Sequence, residues 1–178
     1  MKKNVKAFDY AGEICKAMPQ GILMTTAAEG QVNTMTIGWG TLGIEWGKPI
    51  CTVFVRESRY TKELLDQNPE FTLNVPVDDS CREILKICGT CSGRDMDKFA
   101  RLGLTPEAPE LISVPGIRQL PLTLECRVIY RQEQVIARMN EEARSRYYPA
   151  TENFPEGDVH TAYYGQVLNA YIIDEETA

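Results

Sequence analysis

The regular alternation of apolar and polar residues over positions 122–130 constrains the fold of this chain most. Leu122 and Leu124 fall on one face, and Thr123 and Glu125 fall on the other. A period of two residues is typical of a β-strand with one face turned toward a core. Four further runs, 21–26, 51–55, 71–75 and the longer 162–173, are rich in apolar, β-branched or aromatic residues, and residues 31–36 are expected to return as the partner strand of 21–26. The sequence therefore predicts a mainly β fold.

Short helices are predicted between the strands, at residues 10–17, 60–67, 80–87 and 139–147. Hairpins and short links, such as the turn at Glu29-Gly30, favour an antiparallel barrel over a doubly wound sheet. Residues 38–48 hold four glycines and two tryptophans. We interpret them as a loop, whose glycines also suit close approach of a planar ring. Residues 105–121 hold four prolines and are expected to form a long surface connection within a single domain, 1–178.

The last predicted strand, residues 162–173, has two apolar faces. One face carries Tyr163, Val167, Tyr171 and Ile173, and the other carries Tyr164, Leu168, Ala170 and Ile172. In a small barrel one face fills the core, so the other face is left to meet a second subunit. This pattern favours a homodimer.

The segment from Arg56 to Thr61 has the composition of an anion site. It follows the apolar run 51–55 and opens a predicted helix, where backbone N–H groups lack partners and the helix dipole is positive. The hydroxyl groups of Ser58 and Thr61, with the guanidinium groups of Arg56 and Arg59, suit the oxygens of a phosphate monoester. The alternative is structural, with Ser58 acting as a helix N-cap.

Composition narrows the class of protein. The net charge is −6 and the isoelectric point is about 4.9, which argues against a nucleic-acid partner. The amino terminus has lysines but no apolar segment behind them, and no apolar run reaches the length of a membrane-spanning helix. We therefore expect no membrane association and a cytoplasmic location.

The six cysteines do not form the pattern of a disulfide framework. Cys51 and Cys126 lie in predicted strands and are expected to be core residues. Cys88 and Cys91 form a Cys-x-x-Cys pair to which Cys81 could add a third ligand. A zinc site needs four ligands, so no metal site is predicted, but a thiol or metal-binding module remains an alternative.

Four motifs follow one another along the chain: Asn33-x-Met35-Thr36-x-Gly38-Trp39, Arg56-x-Ser58-Arg59-Tyr60-Thr61, Phe71-Thr72-x-Asn74-Val75-Pro76 and Ser92-Gly93-Arg94-Asp95-x-Asp97-Lys98-Phe99. In this order they resemble the flavin reductase-like, FMN-binding split-barrel family, which includes the flavoredoxins. The resemblance extends over residues 17–173. It implies an antiparallel, six-stranded split β-barrel that binds FMN and works as a homodimer.

The resemblance also implies roles for particular residues. The FMN phosphate would be bound by Arg56, Ser58, Arg59 and Thr61. The edge of the flavin ring would lie along Asn33, Met35 and Thr36. Trp39, Tyr60 and Lys98 would also line the pocket. His160, two residues after Asp158, would help position a nicotinamide, as a histidine does in flavin reductases with a similar segment. The run Ser92-Gly93-Arg94-Asp95 is equally consistent with a tight turn held by pairing of Arg94 with Asp95.

A bound flavin supplies redox chemistry by itself, so the absence of a catalytic triad or carboxylate pair from the sequence is no obstacle. The first functional interpretation is an NAD(P)H-dependent flavin reductase that transfers a hydride to FMN. The alternative is a flavoredoxin-type electron carrier, with tightly bound FMN reduced by a redox partner protein. The second alternative is the thiol or metal-binding module on Cys81, Cys88 and Cys91. The sequence does not separate NADH from NADPH as the donor.

Overall fold

The computed structural model describes residues 1–173, apart from the side chain of Asp79. Residues 174–178 of the predicted domain lie outside the described residues. The strands are β1 (Lys2–Asn4), β2 (Ile22–Ala28), β3 (Gln31–Ile37), β4 (Gly40–Glu45), β5 (Lys48–Arg56), β6 (Glu70–Val75), β7 (Pro106–Glu107), β8 (Gly116–Ile117), β9 (Leu122–Glu133) and β10 (His160–Ile173). The α-helices are α1 (Ala11–Ala17), α2 (Tyr60–Gln67), α3 (Arg82–Thr90), α4 (Lys98–Leu102) and α5 (Glu141–Tyr147).

One curved antiparallel sheet dominates the fold. Its strand order is β3-β2-β6-β9-β10-β5-β4, and β1 pairs with the end of β10. Strand β3 approaches β5 without pairing with it, which leaves the barrel split on that side. The predicted mainly β, antiparallel architecture is confirmed, and the six predicted strands correspond to β2, β3, β5, β6, β9 and β10.

The predicted count of six strands was too low, because the sheet has eight within residues 1–173. The segment interpreted as a glycine-rich loop contains β4, which pairs with β5 through a tight hairpin. Trp46 and Gly47 at its turn have φ of 50° and 69°, as a two-residue hairpin of the favoured twist requires. At Gly40 a Cβ would lie 2.8 Å from Met18 Cε, so this glycine permits close packing. The remaining strand, β1, is too short to show a period.

The segment 105–121 is more than a surface connection. Its Val114, Ile117 and Leu120 side chains are fully buried, and its short strands β7 and β8 pair with each other. The amide N–H of Ile117 donates to Asn74 Oδ1 on β6 at 2.8 Å. The segment therefore covers one face of the sheet. This role could not be predicted from the sequence, because the four prolines interrupt any periodic pattern of apolar residues.

Two apolar clusters form the core. The larger one fills the inside of the curved sheet around Met24, Phe71, Leu73, Leu124 and Tyr163. The smaller one lies on the other face of β2, beneath α3 and the segment 105–121, and includes Leu23, Cys81 and Cys88. Replacing a side chain as buried as Phe71 with alanine costs about 3–5 kcal/mol in such cores.

Candidate functional site

The split between β3 and β5 contains the residues that the sequence singled out. Strand β5 ends at Arg56, and a short turn leads to Arg59, which is the N-cap residue of α2. The amide of Arg59 donates to the carbonyl of Arg56 at 3.1 Å. In the neighbouring strand, the first residue of β10, His160, pairs with Arg56. The start of α2 and the start of β10 thus meet at one end of the split.

Ser58 is not the helix cap that the structural alternative predicted. Arg59 is the N-cap, and no side chain accepts a hydrogen bond there. The Ser58 hydroxyl instead donates to Asp158 Oδ2 at 2.6 Å, and its amide donates to Oδ1 at 3.1 Å. A carboxylate of the chain itself therefore occupies the position where a phosphate was expected to contact Ser58.

Arg56 fastens the segment that precedes β10 to the site. Its guanidinium group donates to the carbonyl of Asp158 at 2.6 Å and to the carbonyl of Tyr147 at 3.0 Å. It also lies over the ring of Tyr148, 5.2 Å from the ring centroid. Two of its donors are thus engaged by backbone oxygens, whereas Arg59 is exposed and has no carboxylate partner within the described residues.

Lys98 is a buried cation at the opposite end of the same region. Only 3% of its surface is exposed. Its ammonium donates to the carbonyls of Thr34 at 2.8 Å and Cys88 at 3.1 Å, with no carboxylate partner within residues 1–173. Burial lowers the pKa of Lys98 below its ordinary value. An anion placed here would compensate a charge that the chain leaves unbalanced.

Two adjoining clefts run along the split. The first, the Lys98 cleft, has a volume of about 130 Å³ and is lined by Asn33, Met35, Thr36, Ser58, Arg59, Tyr60, Thr61 and Lys98, among others. The second, the His160 cleft, has a volume of about 180 Å³ and is lined by Met35, Thr36, Trp39, Arg56, Arg59 and His160, among others. The structure thus places every predicted site residue along one cleft or the other. Met35, Thr36 and Arg59 line both, so the clefts are contiguous.

The walls of the Lys98 cleft are tightly packed. Asn33 Nδ2 donates to the Thr61 hydroxyl at 2.8 Å, which joins β3 to α2. A Cβ on Gly93 would collide with the Asn33 amide, so a glycine is required there. Arg94 pairs with Glu63 and lies 5.4 Å from the Tyr60 ring centroid. The predicted turn at residues 92–95 is present, but Glu63 and not Asp95 is the partner of Arg94.

His160 is buried and belongs to a short hydrogen-bond chain. Tyr148 Oη donates to Gln134 Oε1 at 2.7 Å and lies 2.8 Å from His160 Nδ1. Since a tyrosine hydroxyl has one hydrogen, Nδ1–H of His160 donates to Tyr148, and its Nε2 is left as an acceptor. Burial, reinforced by Arg56 and Arg59 and opposed by Asp158, lowers the pKa of His160 to about 4. The imidazole is therefore neutral at physiological pH.

Trp39 forms the aromatic wall of the His160 cleft. Its ring centroid lies 5.0 Å from that of His160 and 5.0 Å from that of Tyr147, which meets it edge-on. Trp39 remains 40% exposed and therefore presents an open indole face. Such a face suits stacking against a planar ring.

The three cysteines of the second alternative are not arranged as metal ligands. Cys81 and Cys88 are buried in the smaller apolar cluster. Burial raises the pKa of Cys88 to about 11, which disfavours a reactive thiolate. Within residues 1–173, no group of three or more His, Cys, Asp or Glu side chains is placed to hold a metal ion.

Several residues of the site were missed at the level of sequence. Asp158, Tyr148 and Gln134 carry no motif of their own, and their roles depend on contacts across more than ten positions. The closeness of Asp158 to His160 was the one available signal. The described part of the chain contains no helix of the length and apolarity needed to span a membrane.

These observations define a class of protein, an antiparallel split barrel with a cationic and aromatic cleft along its split. A family model described as "Flavin reductase like domain" matches residues 15–178. The chain belongs to the flavin reductase-like family. Membership in this family supports a flavin as the ligand of the site.

Individual comparisons agree with this assignment. An uncharacterized protein of Archaeoglobus fulgidus is 32% identical over 101 residues, which cover 57% of this chain and 56% of that protein. The match therefore spans little more than half the length of that relative. Among solved structures, flavoredoxin from Methanosarcina acetivorans is 25% identical, with a TM-score of 0.67 over 90% of this chain and 72% of that one. An FMN-binding domain of a flavin reductases-like enzyme from Shewanella baltica is 15% identical, with a TM-score of 0.66 over 97% and 77% of the two chains.

Proposed function

We propose that the protein binds FMN across the two clefts and acts as an oxidoreductase whose flavin is reduced by NADH or NADPH. The observation that carries this proposal is the combination of two cations, Arg59 and Lys98, which have no carboxylate partner among the described residues, with an open aromatic wall at Trp39. A phosphate dianion would compensate both cations, and the flavin ring would lie toward the indole. When bound, the flavin supplies the hydride chemistry.

The dimensions of the site support a mononucleotide. The clefts measure about 130 and 180 Å³, and each is smaller than an ordinary cofactor pocket of about 300–1,000 Å³. FMN would therefore extend through both. Neither of these two clefts has room for a second nucleotide beside FMN, so the nicotinamide donor is expected to bind weakly, on the exposed face of the flavin.

In this arrangement the side chains of the protein bind and orient FMN and the nicotinamide donor, and none of them reacts covalently. Arg59 and Lys98 would bind the phosphate, while Met35 and Thr36 on β3 would lie along the ring edge. The neutral His160 would offer Nε2 as a hydrogen-bond acceptor to the donor's carboxamide group. Orientation of this kind can contribute several kcal/mol to the lowering of a barrier.

The decisive experiment tests whether NADH or NADPH reduces the bound flavin. Protein reconstituted with FMN is mixed with millimolar NADH or NADPH in a stopped-flow instrument, and flavin absorbance is followed. Bleaching within seconds supports the reductase. Replacing His160 with alanine should raise KM for the donor while flavin content stays unchanged. Failure of either nucleotide to bleach the flavin would refute NAD(P)H-dependent reduction.

The second candidate is an electron carrier with tightly held FMN, reduced by a protein partner. The similarity to a protein named flavoredoxin favours it. Reversible bleaching by dithionite, together with no response to either nucleotide, would identify the carrier. The two candidates share the same FMN site and differ in the donor.

We further propose a homodimer with the flavin near the subunit boundary. In β10 the side chains of Tyr163 and Val167 are buried in the core, whereas Tyr164 and Leu168 on the other face are partly exposed. Tyr164 also packs against Tyr130 and Trp46, which are exposed aromatic residues. A second subunit covering this face would remove a sizeable apolar surface from water.

A further inference from the structure

A third cleft adjoins the proposed flavin site but has a different chemical character. This cleft, the Leu42 cleft, has a volume of about 500 Å³ and lies between α1 and β4. It shares Gly38, Trp39 and Phe54 with the His160 cleft, so one indole contributes to both. A volume of this size is typical of small-molecule sites.

None of the residues that line the Leu42 cleft is charged. Its apolar walls come from Ile14, Met18 and Leu42, together with Trp39 and Phe54. A phosphate or carboxylate in this cleft would find no compensating cation, and its desolvation would oppose binding. The cleft therefore fits neither FMN phosphate nor a dinucleotide, and it favours a neutral, apolar ligand.

Gln134 supplies the principal polar side chain of this cleft. Its Oε1 accepts the hydrogen bond from Tyr148, whereas its amide nitrogen has no hydrogen-bond partner within residues 1–173. Because Tyr148 fixes the oxygen, the two N–H groups remain as donors. A ligand recognised here would present an acceptor oxygen near Gln134 and a flat apolar body near Trp39.

We infer that the Leu42 cleft binds a neutral, planar ring compound with a conjugated carbonyl, the chemical class of quinones. The carbonyl oxygen accepts from the Gln134 amide, and the ring contacts Trp39 and Leu42. This binding needs no flavin phosphate contact, so it is separable from FMN binding.

The experiment uses duroquinone, whose ring positions are all methylated and do not add thiols such as the exposed Cys15. Durene has the same ring and methyl groups without the carbonyls. Binding of each compound is measured by titration calorimetry, with the protein as purified and again saturated with FMN. Duroquinone is expected to bind both samples, and to bind more tightly than durene.

Two variants locate the site. Leu42→Trp fills the cleft and should weaken duroquinone at least about tenfold, because a filled cavity excludes the ring. Ile44→Trp, on the same strand but 66% exposed, is the matched control and should leave binding unchanged. Gln134→Glu keeps the acceptor for Tyr148 and removes the amide donors, so it should weaken duroquinone about three- to tenfold and spare durene.

Three results would overturn the inference. Unchanged duroquinone affinity in Leu42→Trp would place the ligand elsewhere. Loss of duroquinone binding on saturation with FMN would mean that the flavin itself fills this cleft. Equal affinities for duroquinone and durene would remove the carbonyl recognition. Flavin content, measured on the same samples, keeps these outcomes distinct from a failure to bind FMN.

Discussion

The carboxylate of Asp158 accepts two hydrogen bonds from Ser58, one from the hydroxyl group at 2.6 Å and one from the backbone amide at 3.1 Å. These are the donors that a phosphate at the start of α2 would otherwise receive. A carboxylate in this place acts as an internal anion. It therefore competes with any phosphate that approaches the same donors, and it repels the charge of that phosphate.

Asp158→Asn should strengthen FMN binding about threefold or more, because the substitution removes a negative charge while it keeps an oxygen for the Ser58 amide. Riboflavin, which has no phosphate, should bind with unchanged affinity. Quenching of flavin fluorescence measures both affinities. Weaker FMN binding in the variant would show that Asp158 organises the site and does not compete for it.

Arg59→Ala should weaken FMN about ten- to a hundredfold, because a charge-assisted hydrogen bond contributes about 1.5–3 kcal/mol. Arg131→Ala is the control, since Arg131 is exposed and pairs with Asp66 outside the clefts. Riboflavin affinity should remain the same in both variants. Titration calorimetry with both ligands provides the test, and equal losses for FMN and riboflavin would contradict a phosphate contact at Arg59.

Lys98→Met should weaken FMN binding without lowering the thermal stability of the protein. Burying an ammonium without a carboxylate costs free energy, so the variant should unfold at the same or a higher temperature than the parent. Its FMN affinity should nevertheless fall about tenfold, since a phosphate loses its buried cation. Calorimetric melting and fluorescence titration measure the two effects. A lower melting temperature with unchanged FMN affinity would assign Lys98 a purely structural role.

The pKa of Lys98 also gives a pH dependence. Because burial lowers it, the ammonium loses its proton at a lower pH than an exposed lysine does. FMN affinity of the parent should therefore decline as the solution becomes alkaline, before ordinary lysines titrate. Lys98→Met should lack this decline. Titrations across the alkaline range would contradict the assignment if both proteins showed the same profile.

His160 should make stability depend on acid pH. Its pKa is lowered from 6.5 to about 4 in the folded chain, so the unfolded chain binds more protons between these values. The free energy of unfolding should therefore rise by about 1–3 kcal/mol as the pH increases from about 4 to 6.5, and it should gain nothing more from His160 above this window. His160→Gln should reduce the rise. Urea unfolding of both proteins at the two ends of the window measures the difference, and identical profiles would count against a neutral, buried imidazole.

The sequence predicted those parts of the fold that depend on local pattern. Helix α2 and strands β6 and β9 follow from periodicity and from their turn residues. Strand β4 was missed because glycines that serve packing and a hairpin turn look the same in sequence as glycines of a loop. Ala170 was expected on the face opposite Tyr163 but is buried in the same core cluster as Tyr163, since the register between β10 and β9 shifts twice before it.

The site could be predicted as a set of residues but not as a set of interactions. The motifs brought Asn33, Ser58 and Lys98 to attention, and all three line the clefts. Their partners are set by tertiary contacts: Asp158 lies 100 positions from Ser58 in sequence, and the carbonyl of Thr34 lies 64 positions from Lys98. Such distances in sequence leave no periodic signal.

The two carbonyls held by Arg56 belong to Tyr147 and Asp158, so one guanidinium group closes the intervening stretch into a ring. The two hydrogen bonds of Arg56 act as a reversible cross-link, and both of their acceptors are backbone oxygens. Because the acceptors are backbone oxygens, these two bonds do not depend on the side chains at positions 147 and 158, whereas Tyr148 and Asp158 have further contacts of their own. Since the entropy of closing a loop grows slowly with its length, the mostly exposed residues 149–156 can be lengthened at small cost to the barrel. This exposed part of the stretch can therefore vary in length while Arg56 keeps Tyr147 and Asp158 in place.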